Sequence, residues 1–480
     1  MKKISILFVS ILSLSILSVS CDADFEKVNT SPNRPTAVPA HLLLGNIVRV
    51  NQNVMYGMQQ GGDMGMCWSQ QVSKVQYNDE EKYIPRFAAI DGVWNSLYAT
   101  VLTSSQTMYD LAEVEGNDNL KGISLVLQAN AFQILTDLYG PIPFTEFNKA
   151  GNLKPAYDTQ EKVYDGILKM LTDADALLVL NNGDVPTSSD LVYQGDVSKW
   201  RKLANSLKLK ALMRISKVRS VGAEVQALVA AGNLMTSNAD SAQLVYTAAQ
   251  PDANPIYETI VYGSRLEYKL SSVLVNKLNA TNDARLAVFG KPVNAAGDFL
   301  GNTPGIEDPG NYGKYSAIGT FYIDPKLPGV ILSYAQVEFY LAEAANKSYI
   351  TGGLGTAFDH YKMALAANFD FNGVAGSVFE FSEYTNLAGF ANTDDASKKI
   401  GEQMWVALFG QGFEAWTEWR RTGFPALLPV PTRPSSVATI PTRLYYNSSE
   451  VSFNNASYNA GVVLLGSGGD KLTTRLWWMN

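Results

Sequence analysis

Cysteine and histidine are nearly absent from this chain. Its 480 residues contain two of each, Cys21 and Cys67, His41 and His360. So little imidazole leaves almost no material for a histidine-based zinc site or a Ser-His-Asp triad. Two cysteines cannot build a disulfide framework, and stability has to come from core packing. H-E-x-x-H, G-x-S-x-G, Walker and G-x-G-x-x-G patterns are all missing, and Gly352-Gly-Leu-Gly355 reads as a turn between helices. Charge is sparse at 17%, and its balance is acidic, −7 overall. Such a surface repels phosphate backbones and anionic headgroups, which excludes nucleic acid as a partner. Beyond the N-terminus, no apolar run is long enough to span a bilayer.

The N-terminus is where an apolar run does occur. Lys2 and Lys3 precede an apolar stretch, Ile4 to Val19, and Cys21 follows Ser20 directly. Sixteen residues fall short of the ~20 a spanning helix needs, so residues 1–20 read as an export signal. The small residue before Cys21 fits cleavage and lipid attachment at that thiol, although Ser18 stands where a lipobox usually has Leu. Removing residues 1–20 leaves 36 basic against 45 acidic side chains, or −9. Residues 21–40 are polar and Pro-rich, as suits a lipidated flexible tether. The expected location is the outer face of the outer membrane, held by the lipid.

From 41 to 480 the patterning predicts one mainly α domain. Apolar stripes run along 123–139, ending at Gly140-Pro141, along a helix opened by Asp158-Thr-Gln-Glu161, along Trp200 to Ile215, and from Trp94 through Val101. Ser333 to Asn368 predicts a helical hairpin whose small residues face aromatics, resembling a degenerate tetratricopeptide unit. Between the helices lie loop-rich excursions near 244–330 and 429–476, the latter with occasional short strands expected. Loops this long usually carry function. The basic residues Lys199, Arg201, Lys202, Lys208, Lys210, Arg214 and Lys217 read as a solvated helix face, and His360 as a structural histidine. Asp79, Glu80 and Glu81 near Trp68 and Tyr83 are the nearest approach to a glycosidase carboxylate pair, but read as a solvated acidic loop.

Several segments together resemble the SusD/RagB family, in particular its SusD-like branch. They are Asn29-Thr-Ser-Pro-Asn-Arg-Pro, Thr136-Asp-Leu-Tyr-Gly-Pro-Ile-Pro-Phe-Thr-Glu146, Tyr157-Asp-Thr-Gln-Glu161 with Tyr164, and Trp200-Arg-Lys-Leu-Ala-Asn-Ser-Leu-Lys-Leu-Lys210. Gln336-Val-Glu-Phe-Tyr-Leu-Ala-Glu-Ala344, with Gln336 where Glu is usual, and Glu414-Ala-Trp-Thr-Glu-Trp-Arg-Arg-Thr-Gly423 complete the set. The resemblance implies a TPR-like helical platform beside an irregular region. It also implies a non-catalytic lipoprotein that captures a nutrient oligomer for a SusC-like TonB-dependent transporter, with no cofactor. In that setting Arg420 and Arg421 are placed to bond helix carboxyl ends or buried acids. A structural calcium would need a ligand spacing that is not present.

Ligand contacts are expected from exposed aromatic faces with amide edges, which suit sugar rings, or from mixed pockets, which suit peptides. Two loops qualify. One supplies Trp68, Gln71, Tyr77, Asn78 and Tyr83, and the other Tyr312, Tyr315 and Phe321. Trp68 and Tyr77 are the leading candidates. A surface hydrolase and a protein-binding scaffold are the rival readings.

Overall fold

Short polar side chains start most of the long helices. The computed structural model describes residues 38–431 and 436–480. The expected export signal, the lipidation of Cys21 and most of the tether lie outside them. Ala40–Asn480 form one compact unit.

Helix α1 (Leu44–Tyr56) runs into a π-helical stretch, Met58–Met66, and then strand β1 (Val72–Lys74). Helix α2 (Phe87–Asn95) continues through a π-helical stretch into α3 (Thr103–Glu115). Helix α4 (Asp118–Tyr139) begins where Asn117 Oδ1 accepts from the Leu120 N–H, and stops at Gly140. After strands β2 (Ile142–Pro143) and β3 (Tyr157–Asp158) comes α5 (Gln160–Leu177). Its cap is Thr159, one residue later than the sequence pattern indicates, because Asp158 is held in β3.

Asp196 caps α6 (Val197–Ile215) by accepting from the N–H groups of Ser198 and Lys199. Helix α7 (Gly222–Ala230) and strands β4 (Ala242–Leu244) and β5 (Tyr268–Leu270) follow, then α8 (Ser272–Ala280) and strand β6 (Gly329–Leu332). A reciprocal Ser333–Gln336 capping box opens α9 (Tyr334–Asn346), so Gln336 does local work where a carboxylate was expected. Gly352 and Gly353, at φ 106° and 58°, turn the chain into α10 (Gly353–Phe371), and the predicted hairpin is present. Helices α11 (Thr393–Ala407), α12 (Gly412–Thr422), α13 (Ser448–Phe453) and α14 (Asn455–Leu464) are the remaining α-helices of six or more residues among the described residues. The mainly α, TPR-like expectation stands. The short strands expected within 429–476 are not seen among the described residues; α13 and α14 occupy that stretch.

Neighbouring helices pack in pairs, α4 with α5 and α9 with α10. Their shared interior is not purely apolar. Arg421 forms a two-point bond to Glu343 (2.6 and 2.7 Å) and reaches Glu418 (2.7 Å). Arg214 joins Asp137 (3.1 Å), Glu414 and Glu418 (2.9 Å each), and Lys210 joins Glu414 (2.9 Å). Arg420 donates to the carbonyls of Asp137 and Thr442, with its guanidinium 3.8 Å from the Trp416 ring centroid. Lys210 and Arg214 are buried, which corrects the reading of α6 as a wholly solvated basic face. The reason is geometric: this side of α6 meets α4 and α12, whose carboxylates Asp137, Glu414 and Glu418 need counter-charges. His360 pairs with Glu338 at 2.6 Å, as a structural histidine would.

Candidate ligand-binding site

The site grows from one short antiparallel ladder. Strand β1 pairs with β5 so that Ser73 faces Lys269 and Lys74 faces Tyr268, and the Val75 N–H to Glu267 carbonyl bond (3.0 Å) extends it. Directly opposed residues share a sheet face. Lys74 and Tyr268 therefore lie together on one side, with the ammonium 5.3 Å from the ring centroid. On that side Lys74 bonds Asp63 (3.1 Å) and Glu80 (3.3 Å), and Tyr268 donates to Asp63 (2.8 Å). Arg86 reaches Asp63 (3.0 Å) and pairs with Glu80 while leaving nearly half of its side chain in solvent. Burial raises the pKa of Asp63, with Lys74 opposing. Burial also works against the charge on Lys74, but Asp63 and Glu80 outweigh it and hold that pKa above its ordinary value.

Above this cluster opens a cleft of about 670 Å³, lined by Lys74, Tyr77, Asp79, Glu80, Ile84, Pro85, Arg86 and Arg265. Tyr77 stands at its rim with 61% of its surface exposed. Its φ of 56° is left-handed, a conformation a bulky residue adopts only when its surroundings impose it, and one often met at binding sites. The Arg265 guanidinium lies 5.7 Å from the Tyr77 ring centroid and is tied to Glu267 by Nε (2.6 Å) and Nη2 (2.5 Å). Tyr312 donates to Gln76, the neighbour of Tyr77, and its ring centroid is 5.8 Å from the Lys269 ammonium. Tyr315 donates to Asp308 (2.7 Å), whose own N–H bonds the Val75 carbonyl (2.9 Å). Hydrogen bonds from Asn311, Tyr315 and Lys314 hold the Asp308 carboxyl down at about 2. The two loops picked out by sequence thus meet at the end of β1.

Not all of their residues face the cleft. Trp68 is buried, donating from Nε1 to the Glu80 carbonyl (2.8 Å) and standing edge-on to Trp416 at 4.9 Å. Gln71 is buried and donates to the Trp405 carbonyl (2.6 Å). Asn78 is fully enclosed, and Tyr83 is buried with Oη accepting from the Val430 N–H (2.9 Å). Phe321 packs half-buried against Tyr322 and Phe371. Trp68, Gln71, Asn78 and Tyr83 support the loops from inside and present no free face to a ligand, which corrects the expectation that they line the site, while Phe321 packs on its aromatic neighbours away from the residues that line the cleft. Glu80 and Glu81 are buried too, rather than solvated. Glu81 accepts from the N–H groups of Lys74 and Gly305 (2.9 Å each), and burial pushes it up to about 7.

The physical cause is how closely the chain is drawn onto α12. A Cβ at Gly65 would fall 2.2 Å from the Gly412 carbonyl carbon, so the segment leading to Trp68 lies against the helix start and carries that ring inward. Tyr77, Tyr312 and Tyr315 keep exposed surface. Asp63, Arg86, Arg265, Glu267 and Lys269 join them without having been singled out from sequence. The last three had a visible signal, since 265–270 alternates Arg, Glu and Lys with Leu, Tyr and Leu. Among the described residues, no group of three or more His, Cys, Asp or Glu could hold a metal ion, and no helix is long and apolar enough to cross a membrane.

Comparison with known proteins agrees with this architecture. Residues 32–447 match the family model SusD-like_2, described as starch-binding and associating with the outer membrane. A solved structure described as a chitin-binding protein is 26% identical, with 92% of this chain and 100% of that chain covered and a TM-score of 0.80. A chitin-binding SusD homolog from Flavobacterium johnsoniae is 24% identical over 91% of this chain and 98% of its own, with a TM-score of 0.80. A SusD homolog from Bacteroides fragilis is 24% identical over 92% and 100%, with a TM-score of 0.77. No curated protein matches.

Proposed function

Starting from the chain's membership of the SusD-like family of starch-binding proteins that associate with the outer membrane, we propose that it captures a nutrient oligosaccharide at the cell surface. It hands this ligand to a SusC-like TonB-dependent transporter and does not cleave it. Tyr77 carries the proposal: an exposed ring held in a left-handed backbone at the rim of a 670 Å³ cleft, next to Tyr312. Flat aromatic faces stack on the C–H surface of sugar rings, while Arg86 and Arg265 offer N–H donors to hydroxyls.

One feature supports binding without chemistry. Asp63 and Glu80 are engaged with Lys74 and Arg86, Glu267 with Arg265, and Glu81 with backbone N–H groups. The acid–base pair of a glycosidase needs one carboxyl free to donate and one free to attack or to activate water. A glycan ligand, rather than a peptide, is favoured by the 26% identical structure described as chitin-binding. Anchoring rests on Cys21, which we assign as the lipidated residue.

The test is an oligosaccharide array probed with the full chain and with Tyr77→Ala. Binding that Tyr77→Ala abolishes, with no release of shorter products on long incubation, is the expected result. A wild-type chain that binds no glycan, or that cuts one, refutes the proposal. Labelled palmitate should enter the native protein in its own cells and be lost in Cys21→Ala.

A further inference from the structure

A second cavity, of about 150 Å³, opens where the ends of α6, α9 and α12 meet α11, and it shares no lining residue with the cleft. One wall is apolar. Ile400 and Met404 of α11 form it with Phe424, which comes so close that a Cβ at Gly401 would fall 2.9 Å from its side chain. The other wall is ionic and consists of Glu343, Arg421, Lys347 and Lys217. Both Glu343 oxygens are taken, Oε2 by Arg421 (2.6 Å) and Oε1 by Arg421 (2.7 Å) and Lys347 (3.0 Å). Arg421 also reaches Glu418 (2.7 Å), and Lys347 donates to Ser216 Oγ (3.1 Å). Lys217 stands apart, with no hydrogen bond or ion pair to its ammonium among the described residues. The residue is exposed, yet the protein around it lowers its pKa, by partial burial first and then through Arg421, Lys347 and Arg475, with Glu343 opposing. The one carboxylate of the lining is thus spent on its neighbours, and Lys217 is left without a counter-charge.

We propose that this cavity is a second binding site, for a small organic monocarboxylate whose charge meets Lys217 and whose ring or short branched chain lies against Ile400, Met404 and Phe424. The inference goes beyond glycan capture and does not depend on it. Size sets the apolar body, since a cavity of this volume holds a group as large as benzene. Charge sets the head: one carboxylate supplies the counter-ion that Lys217 lacks, through a charge-assisted N–H···O bond about twice as strong as a neutral one. A bare inorganic anion would leave the apolar wall against water, and a neutral molecule would leave Lys217 as it was. A dicarboxylate would bring its second charge towards Glu343. Because the lining comes from four separate chain segments, a ligand held here also favours the folded state.

Ligand-observed NMR titrations of the full chain test this with three probes: benzoate, its uncharged amide benzamide, and acetate, which carries the charge without the ring. Benzoate is expected to bind about tenfold more tightly than either control. Lys217→Met should bring benzoate down to the affinity of benzamide, whereas Lys217→Arg keeps the charge and should keep the preference. Ser397 lines the cavity from α11 and is half-buried, so Ser397→Phe should fill the space and abolish benzoate binding while leaving glycan capture intact. It provides a second variant should Lys217→Met fold poorly. No binding of benzoate at millimolar concentration, equal binding of benzoate and either control, or a preference that survives Lys217→Met or Ser397→Phe in a folded protein overturns the inference. None of these results bears on oligosaccharide capture, which the array reads separately.

Discussion

The ionic network between α4, α6, α9 and α12 and the ionic cluster beneath the cleft use the same residue types for different ends. In the helical body, Asp137, Lys210, Arg214, Glu343, Glu414, Glu418 and Arg421 are all buried and pair with one another. Under the cleft, Lys74, Asp63 and Glu80 are buried, but Arg86 carries the network out to solvent and the cleft opens above it. The first arrangement fixes helix register; the second holds an exposed ring in place. Buried charge therefore marks the scaffold in one region and the floor of the candidate cleft in the other. It is a poor guide to function until its outlet is known.

The largest expected effect breaks the first region alone. Arg421→Met leaves Glu343 and Glu418 buried beside fewer counter-charges and should cost about 3–5 kcal/mol of stability, read from urea unfolding, with glycan affinity of the surviving folded protein unchanged. Trp68→Ala comes next, at about 3–5 kcal/mol. The sequence reading makes Trp68 a ligand contact, and the structure makes its removal a packing defect against Trp416 with the loss of a bond to the Glu80 carbonyl.

Acid and base separate the regions further. Burial works against the charge on Glu343, yet Arg421 and Lys347 hold it at about 2. Its contribution is fully present above the unfolded value near 4.5 and is lost as pH falls towards 2, roughly 3 kcal/mol across that window. Glu81 has the opposite sign. The unfolded chain releases this proton near 4.5 while the folded chain keeps it to about 7, so stability falls as pH rises between those values, by roughly 3 kcal/mol. Unfolding midpoints from pH 2 to 8 should lose the acid limb in Glu343→Gln and the near-neutral limb in Glu81→Gln. One variant flattening both limbs would dissolve the distinction.

The smallest effect on stability belongs to Tyr77→Ala, which should move unfolding by under about 0.5 kcal/mol while weakening glycan binding by about 1–3 kcal/mol.

Much of the helical body was legible because its periodicity survives in the sequence. Trp200 to Ile215 and the Ser333–Asn368 hairpin fold as their apolar spacing indicates. What periodicity could not show was the function of the polar positions. Lys210 and Arg214 look like surface residues until α12 brings carboxylates to them, a relation set by contacts about 200 residues apart. The site was half legible for a similar reason. Composition picked out two loops that meet at the end of β1, but Tyr77 and Trp68 look alike in a string of aromatics and amides. Only the approach of Gly65 to α12 and the left-handed turn at Tyr77 send one ring inward and the other out.

The placement of the indoles has a practical corollary for anyone who titrates this protein. Trp68, Trp94, Trp200, Trp405, Trp416 and Trp478 are buried, Trp419 and Trp477 are partly covered, and none lines the cleft. Their ultraviolet emission should be blue-shifted and indifferent to added oligomer, then move sharply to longer wavelength when the fold is lost. Intrinsic fluorescence is therefore an optical thermometer of the body, and occupancy of the tyrosine face has to be read by heat or by mobility instead.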